Sequence, residues 1–434
     1  MKLRTILFFT LIVFLAAPQK SSGQIWKKLF GKEEKRKPRP RPKPAIKPKD
    51  KQAGEIATKK KRKTLEYPAS KIKSRYRIDV LVPLYLDELV KDNKLSFKDK
   101  IPEKAAIGVS FYEGIKLAAD TLTAMGYNVD VFIHDVTQQG LTPNELVKGE
   151  VLEETDLVIG ALQSAQIPVV AEFAKKRQVN FISVISPSDA NVKDNLFFTM
   201  LQPTLETHCE RIREAALKKT SGKKTILFYR TNDNVDSLAY SYILSEGEKP
   251  FTKVLLNKLL QKKQLEQSFD SASTNFIVMP IVDNGYAESI LQQLHEWFPR
   301  YQFEVFGMPS WKFINTLRKP DAYPNVAVNF TSPFHYDITT TMAQTLSANY
   351  KKQFGGRMAE MVFRGYDVVF WYAYLLQNYG TVYNTKQSDN KVAPFIKFEI
   401  KPQWDIQQNL LYNENEHLFL YRYQSASFLV NSLD

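Results

Sequence analysis

Two short polar segments are the residues of this chain best placed to bind a ligand. We call them the serine corners, and they are Gln163-Ser164-Ala165 and Ser186-Pro187-Ser188. Each corner ends an apolar run, and serine hydroxyls and free backbone N–H groups can hold a polar or anionic group. The alternative is that Ser164 and Ser188 only cap the helices that follow them, with no ligand present.

The other candidates for chemistry are the histidines and the single cysteine. No two histidines have metal-ligand spacing on one helix face; they are His134, His208, His295, His335 and His417. Cys209 follows His208 directly, so on a helix the two side chains diverge, and we interpret Cys209 as a buried small residue. The chain has no G-x-S-x-G, Walker A or G-x-G-x-x-G motif. We therefore predict no catalytic residue, no metal and no cofactor, and hence no enzyme.

The serine corners lie in a region that predicts alternating strands and helices. The predicted strands are 77–86, 129–136, 157–162 and 179–186, and the predicted helices are 110–126, 144–156 and 167–178. Near-continuous apolar strands that alternate with amphipathic helices are typical of a parallel sheet covered on both faces. Open sheets of this kind bind ligands at the carboxyl ends of their strands, where both corners stand.

A second series of the same kind begins near residue 224. Its predicted strands are 224–230, 274–282, 303–309 and 325–331, with helices at 237–244 and 287–298. Two helices follow at 339–354 and 361–380, and strands return at 394–400 and 416–430. The body therefore contains two α/β units, a helical pair and a short β end.

The first 23 residues have the pattern of a secretory signal peptide. Two basic residues precede the apolar run 6–17, and small residues at Ser21 and Gly23 precede Gln24. This run is short for a membrane-spanning helix, which needs about 20 residues. The alternatives are an uncleaved anchor or a buried helix. No cysteine stands at the cleavage point, so we expect a cleaved periplasmic protein that is not a lipoprotein.

The basic charge of the chain is concentrated in segment 24–75. Residues 27–75 contain 20 Lys and Arg against 5 Asp and Glu, while the whole chain has a net charge of +14. Alternating proline and cations favour an extended chain, and the composition predicts a disordered linker. One interpretation is that the basic linker binds an anionic envelope surface. The alternative is that it is a solvated, disordered segment with no binding role. Nucleic acid is not an expected partner, because an exported protein seldom meets it.

From residue 76 to 434 the chain resembles the type I periplasmic binding proteins, and within them the branched-chain amino-acid receptors. The resemblance rests on FYEGIKLAADTL, on LVIGALQSAQIPVVAEFAKKRQVNFISVISPS and on RGYDVVFWYAYLLQNYG. It implies an α/β fold with two doubly wound parallel-sheet lobes, a hinge and a cleft between the lobes. The first lobe would contain about 76–203 and 336–379, and the second about 204–335 and 393–434.

The resemblance also implies which residues meet a ligand. In the family, the two corners hold the carboxylate of an amino acid through hydroxyls and backbone N–H groups. The second lobe would contact the same ligand with residues at its own strand ends. The candidates are Asn234, Asp283, Asn284, Ser310 and Trp311. Asp283-Asn284 also suits a simple turn opener.

The chain departs from the family pattern at both sides of this site. Ala190 stands where the second corner usually has a threonine, and Asp189 would repel a ligand carboxylate. Ser310 and Trp311 stand where the family commonly has an acidic residue for the ligand ammonium. Asn234 stands where an aromatic residue is frequent. Free branched-chain amino acids are therefore not an expected ligand.

Two functions remain from different classes. The first is an exported, non-enzymatic receptor that closes on a small polar molecule, such as an amino-acid-like compound, a peptide or a cell-wall fragment, and works with a membrane transporter. The second is a cell-envelope interaction module that regulates peptidoglycan synthesis, similar to the activators of penicillin-binding proteins, with a cell-wall synthase as partner. A cleft with free volume favours the first function, and a cleft filled by side chains favours the second.

Overall fold

The structure is a computed structural model that describes residues 64–433, except 99, 222–223, 246, 248–250, 257–260, 320, 391–394 and 426. The predicted signal peptide, 1–23, and the predicted linker up to residue 63 lie outside the described residues. Among the described helices, none combines the length and the apolar character needed to cross a membrane.

The strands of the structure follow one another along the whole body. In chain order they are β1 (Tyr76–Val82), β2 (Val90–Lys91), β3 (Lys94–Leu95), β4 (Val129–Asp135), β5 (Leu157–Gly160), β6 (Asn180–Ser183), β7 (Phe198–Met200), β8 (Thr225–Tyr229), β9 (Phe251–Leu255), β10 (Thr274–Val278), β11 (Gln302–Gly307), β12 (Val326–Ser332), β13 (Ile400–Trp404), β14 (Leu410–Asn415), β15 (Phe419–Gln424) and β16 (Ser427–Ser432).

The helices alternate with these strands. They are α1 (Leu86–Leu89), α2 (Glu103–Ala124), α3 (Pro143–Lys148), α4 (Ile167–Arg177), α5 (Leu205–Thr220), α6 (Asn234–Ile243), α7 (Lys262–Glu266), α8 (Asn284–Trp297), α9 (Thr341–Phe354) and α10 (Glu360–Tyr379). Short 3-10 turns lie at Ser164–Gln166, Pro309–Phe313, Asn315–Arg318 and Asn384–Lys386.

Two seven-stranded sheets form the centres of two lobes. The first has the order β13-β14-β7-β6-β5-β1-β4, and the second has the order β16-β15-β12-β11-β10-β8-β9. Strands β14 to β4 of the first sheet are parallel, as are β12 to β9 of the second. Antiparallel strands stand only at one edge of each sheet. The predicted fold class, two doubly wound α/β lobes, is confirmed.

Helices α2 and α10 belong to the first lobe and pack closely against each other, because two glycines let their backbones touch. A Cβ on Gly114 would lie 2.0 Å from the carbonyl oxygen of Val362. A Cβ on Gly365 would lie 2.2 Å from the carbonyl oxygen of Phe111. The aromatic residues of α10, including Trp371, are therefore buried core residues of the first lobe.

The core of the second lobe is rich in aromatic rings. Phe269 meets Phe298 and Phe303 edge to face, with ring centroids 5.1 and 5.0 Å apart. Trp311 is fully buried beside β11. With a single cysteine the chain has no intramolecular disulfide, so its stability depends on such apolar contacts.

The C-terminal region differs from the sequence prediction. We expected 393–434 to belong to the second lobe, but β13 and β14 extend the first sheet, and only β15 and β16 join the second. The reason lies in the apolar side of β14. Tyr412 is buried in the core of the first lobe, where its ring lies 5.8 Å from that of Phe198.

Two predicted elements are also shorter than expected. The described residues of 394–399 do not form a strand, because side chains accept the hydrogen bonds of their backbone N–H groups. The N–H of Ile396 donates to Asp367 at 2.7 Å, and the N–H of Phe398 donates to Asn390 at 2.7 Å. The predicted helix 144–156 ends at Lys148. Gly149 caps it, and the left-handed backbone of the next residue, with φ 58°, turns the chain away.

The lobes are joined by three crossings, at 201–204, 333–340 and 416–418. The carboxylate of Glu414 connects the first crossing to the third. It accepts hydrogen bonds from the Thr207 hydroxyl at 2.6 Å and from the Thr204 N–H at 2.8 Å. Burial raises the pKa of Glu414 to about 7, although the threonine bonds act in the opposite direction.

The last part of the predicted disordered linker is ordered. Ser70 donates a hydrogen bond of 2.6 Å to the carbonyl of Tyr379, and the N–H of Lys71 donates to Thr381 at 3.2 Å. Lys73 lies 2.6 Å from the carboxylate of Asp156. Residues 70–75, which we call the linker root, therefore pack against the first lobe at the amino end of β1. These side-chain partners outweigh the polar composition that predicted disorder.

Candidate functional site

The two serine corners meet in the first lobe. Strands β5 and β6 are parallel neighbours with Gly160 opposite Ser183, so the segments that follow them leave the sheet side by side. The hydroxyls of Ser164 and Ser186 lie 3.1 Å apart and share a hydrogen bond. Ser186 is buried and Ser164 is half-buried, whereas Gln163 and Ala165 are exposed.

Neither serine caps a helix in the way the alternative interpretation supposed. At the first corner, Gln163 and Gln166 form the cap, because the Gln163 N–H donates to the side-chain oxygen of Gln166 at 3.1 Å. At the second corner, Ser188 accepts a bond of 3.1 Å from the Ala190 N–H and closes a turn. Residues 184–197 contain no helix for Ser188 to cap. The Ser164 hydroxyl is held by Ser186 instead.

Three predicted ligand residues of the second lobe lie at the N-termini of helices. Asp283 caps α8, since its carboxylate accepts from the N–H groups of Gly285 and Tyr286 at 3.0 and 3.2 Å. Asn284 is the first residue of α8, and Asn234 is the exposed first residue of α6. Asp283 also lies 3.8 Å from Arg230. Its carboxylate is therefore occupied by backbone N–H groups and by a cation.

Ser310 and Trp311 are turned into the second lobe. The Ser310 hydroxyl donates to the carbonyl of Val282 at 2.7 Å, and the Trp311 indole N–H donates to the carbonyl of Ile281 at 2.7 Å. Trp311 has no exposed surface. A Cβ on Gly307 would lie 2.2 Å from the Trp311 ring, so glycine is required there. These two side chains hold the 3-10 turn in place.

A small cavity lies between the two lobes. Its volume is about 20 Å³, and its lining residues are Pro187, Gln202, Pro203, Leu205, His208, Val282, Met308, Pro309 and Ser310. A volume of this size holds about one water molecule. Of the predicted ligand residues, only Ser310 lines this cavity, and the second serine corner contributes Pro187. The candidates outside the lining are Gln163, Ser164, Ala165, Ser186, Ser188, Asn234, Asp283, Asn284 and Trp311.

His208 lines this cavity, although it is not among the ligand-binding residues predicted from the sequence. Its Nδ1 lies 2.8 Å from the Thr331 hydroxyl, and its buried Nε2 has no hydrogen-bond partner among the residues that the structure describes. Burial, together with the charge of Lys312, lowers the pKa of His208 to about 3, so the ring is neutral at pH 7. No spacing in the sequence indicates this position, because the cavity forms only when the lobes meet.

An ion-pair network closes the cleft at its rim. Lys312, in the 3-10 turn after β11, lies 3.4 Å from Glu360, the first residue of α10. Glu360 also lies 2.7 Å from Arg364, whose guanidinium stacks 3.6 Å from the centre of the Phe334 ring. We call Lys312, Glu360 and Arg364 the rim clasp. It joins the second lobe to the first, and the sequence contains no pattern that would have revealed it.

The described residues contain no arrangement suited to catalysis by metal or thiolate. Within them, no group of three or more His, Cys, Asp or Glu side chains is placed to hold a metal ion. Cys209 is buried, and burial together with Glu210 and Glu206 raises its pKa far above the usual range, so the thiolate does not form near neutral pH. Cys209 is therefore not available as a thiolate nucleophile.

No family model and no curated protein matches this sequence. Solved structures do match in fold. A putative branched-chain amino acid ABC transporter from Rhodospirillum rubrum has 14% identity and a TM-score of 0.57, covering 82% of this chain and 100% of that one. A branched chain amino acid ABC transporter periplasmic ligand-binding protein from Burkholderia xenovorans has 11% identity and a TM-score of 0.52, covering 82% and 94%.

A third match belongs to a different group. Full-length LpoA from Haemophilus influenzae has 12% identity and a TM-score of 0.54, covering 83% of this chain and 60% of that one. The structural neighbours include binding proteins for transport and a protein of another kind, so the likeness fixes the architecture alone. With two doubly wound lobes around a cleft, the chain has the type I periplasmic binding protein fold.

Proposed function

We propose that this protein is an exported, non-enzymatic interaction module of the cell envelope that acts through its outer surface. The observation that carries the proposal is the filled cleft, in which about 20 Å³ remains between the lobes. Sites for small molecules are typically of about 300–1,000 Å³ and bury most of the ligand. By this measure, that cavity has no room for an amino acid.

The hydrogen bonding of the predicted ligand residues supports the same proposal. Ser310 donates to Val282, and Asp283 accepts from the first turn of α8. A ligand that used these groups would have to replace bonds that hold the second lobe together. Each replaced bond is worth about 1 kcal/mol, so the exchange would gain little affinity.

The rim clasp supports lobes that stay together without a ligand. A receptor that traps its ligand needs an open form, and the ligand must favour the closed form by its own contacts. Here Lys312 and Glu360 supply a contact between the lobes themselves. Buried Glu414 connects the crossings from the other side. The protein therefore has its own means of holding the closed form.

The envelope location and partner are part of the proposal. The signal-peptide pattern of 1–23 supports export, and the basic segment 24–63 supports contact with an anionic envelope surface. The fold is shared with LpoA as well as with transport proteins. We propose a cell-wall synthase or the cell wall as the partner, and no transporter.

A second candidate function is a receptor for a small polar molecule. The meeting of Ser164 and Ser186 favours it, because two hydroxyls at the ends of neighbouring strands are a ready anion site once they separate. In that case the lobes would have to open and the cavity would have to grow around the ligand.

Two binding assays with the full-length mature protein separate the candidates. The first is a thermal-shift screen with amino acids, short peptides, sugars and muropeptides, and the second is co-sedimentation with purified sacculi. We expect no ligand-dependent rise in melting temperature, and retention on sacculi or on a purified cell-wall synthase. A ligand that raises the melting temperature of the wild type, but not that of Ser164→Ala/Ser186→Ala, would overturn the proposal in favour of the receptor.

A further inference from the structure

His208 places a titratable ring against the cavity between the lobes. The residue is 3% exposed, and it is the only titratable one among the described residues that line the cavity. The lining comes from both lobes, because Pro187 follows β6 of the first lobe and Met308 follows β11 of the second. Separation of the lobes would therefore open the cavity and expose the ring to solvent.

The two ring nitrogens of His208 have different surroundings. Nδ1 lies 2.8 Å from the hydroxyl of Thr331, a residue of the same lobe, whereas the buried Nε2 has no partner in the described part of the chain. A neutral imidazole donates through one nitrogen only, and an imidazolium donates through both. Protonation would therefore bury a charged N–H that the closed form does not compensate, and this costs free energy.

The charge that acts on His208 from the neighbouring 3-10 turn is also positive. Lys312 lies in the turn that contributes Pro309 and Ser310 to the lining. Burial, and after it the charge of Lys312, lowers the pKa of His208 from its ordinary value of 6.5 to about 3. Lys312 is itself paired with Glu360 of α10 at 3.4 Å. A second positive charge on the ring would therefore be repelled.

The charged groups of α5 itself point away from the ring. Glu206 and Glu210 are exposed and stand two residues from His208, so their side chains lie on other faces of the helix. Arg211, about one turn further along, is paired at 3.2 Å with a carboxylate of the third crossing. None of these three groups supplies the anion that a protonated ring would need.

Two carboxylates approach α5 from the first lobe. Glu414 of β14 accepts a hydrogen bond of 2.6 Å from the Thr207 hydroxyl. Asp189, which follows the second serine corner, raises the pKa of Glu206 through its negative charge, in addition to the larger effect of burial. Both carboxylates thus act on the first turn of the helix, before the ring of His208.

We propose that His208 is a pH-sensitive switch of the lobes: its protonation opens them, and its neutral ring lets them close. Opening would hydrate the imidazolium and restore the ordinary pKa of 6.5, in place of about 3 in the closed form. The closed form is then favoured above pH 6.5 and loses this advantage as the pH falls. Between pH 7.5 and pH 5 the ratio of open to closed protein should rise about thirtyfold. Such a switch would act whichever partner the outer surface binds.

A cysteine in the cavity of the full mature chain reports opening. Met308 is fully buried and lines the cavity, so the thiol of Met308→Cys should react with N-ethylmaleimide only when the lobes separate. Its rate is divided by that of Ile406→Cys, a site that is 92% exposed, because this ratio removes the pH dependence of the thiol reaction. From pH 7.5 to pH 5 the ratio should rise by the factor given above.

Two matched histidine variants in the Met308→Cys background assign this rise. His208→Gln keeps a side chain that can bond to Thr331 but cannot titrate, so the rise should disappear. His295→Gln changes a histidine of α8 outside the lining, so the rise should persist. If Met308→Cys does not fold, Pro187→Cys reports from the first lobe instead.

The native cysteine separates opening of the lobes from unfolding. Cys209 is buried in the core of the second lobe and lies outside the cavity lining, so it should react only when that lobe unfolds. Peptide mass spectrometry measures the labelling of both cysteines in one sample. Acceleration of Met308→Cys alone supports the proposal. Equal acceleration of Cys209, a rise that persists in His208→Gln, or a labelling ratio that does not change with pH would each overturn it.

Discussion

The ammonium of Lys312 lies 3.4 Å from the carboxylate of Glu360, and these two residues belong to different lobes. The contact stands at the rim of a cleft whose remaining cavity is about 20 Å³. The closed arrangement is thus supported by the chain's own side chains. This is the physical basis for treating the molecule as a closed body with an interaction surface.

The first prediction concerns the rim clasp. In a double-mutant cycle of Lys312→Ala and Glu360→Gln, we expect a coupling free energy of about 0.2–1 kcal/mol, because both side chains are partly exposed and screened. Urea unfolding of the four proteins measures it. The radius of gyration of Lys312→Ala, from small-angle scattering, should exceed that of the wild type. A zero coupling and an unchanged radius would show that the clasp does not hold the lobes.

The second prediction concerns pH. Burial raises the pKa of Glu113 from its ordinary value of 4.5 to about 7, against an opposing hydrogen bond from Tyr350. The folded state then holds a proton that the unfolded state releases, so the contribution of Glu113 to stability is largest below pH 4.5 and is lost as the pH rises to about 7. The loss reaches about 3 kcal/mol. Unfolding of Glu113→Gln should lack this part of the fall.

Glu414 titrates in the same window, since burial raises its pKa to about 7 as well. The contributions of the two groups are separated by subtracting the free energy of unfolding of each variant, Glu113→Gln or Glu414→Gln, from that of the wild type at each pH. A wild type whose stability is flat between pH 4.5 and 7, relative to both variants, would contradict the burial of these carboxyls.

The third prediction concerns the linker root. Gly380 has φ 78°, and a Cβ there would lie 2.5 Å from the Ser70 hydroxyl. Gly380→Ala should release residues 70–75 and speed tryptic cleavage after Lys71. Gly126→Ala is the matched control, because Gly126 has φ 80° and nothing within 4 Å of an added Cβ. Both variants place alanine at a positive φ, and the strain is greater at position 380, because its ψ of −162° lies in a region that essentially only glycine adopts. Only the Gly380→Ala variant should release the linker root. Equal cleavage in both would refute the docking.

Much of the fold could be predicted from the sequence because it follows from local patterns. Continuous apolar runs such as 157–162 predict buried parallel strands, and the corners after them meet because parallel strands end at one edge. The separation of β13 and β14 from β15 and β16 could not be predicted. It depends on Tyr412 packing against Phe198 within the first lobe, a contact between residues far apart in the sequence that local spacing does not indicate.

The candidate site was less predictable than the fold. Side-chain type indicated that Ser310 and Asp283 could meet a ligand, but their actual partners are a carbonyl and two N–H groups within the second lobe. His208, Lys312 and Glu360 gain their roles only when the two lobes come together. Residue type and spacing describe one element at a time, and the cleft is formed by several.

The central claim is that the cleft takes no small molecule. Native mass spectrometry of the mature protein, purified without denaturant and then mixed with amino acids, short peptides and muropeptides, tests it most directly. The account predicts the mass of the protein without an adduct at ligand concentrations up to about 1 mM, which corresponds to a binding free energy weaker than about −4 kcal/mol. A stoichiometric small-molecule adduct on the wild type that is lost from Ser164→Ala/Ser186→Ala would contradict it.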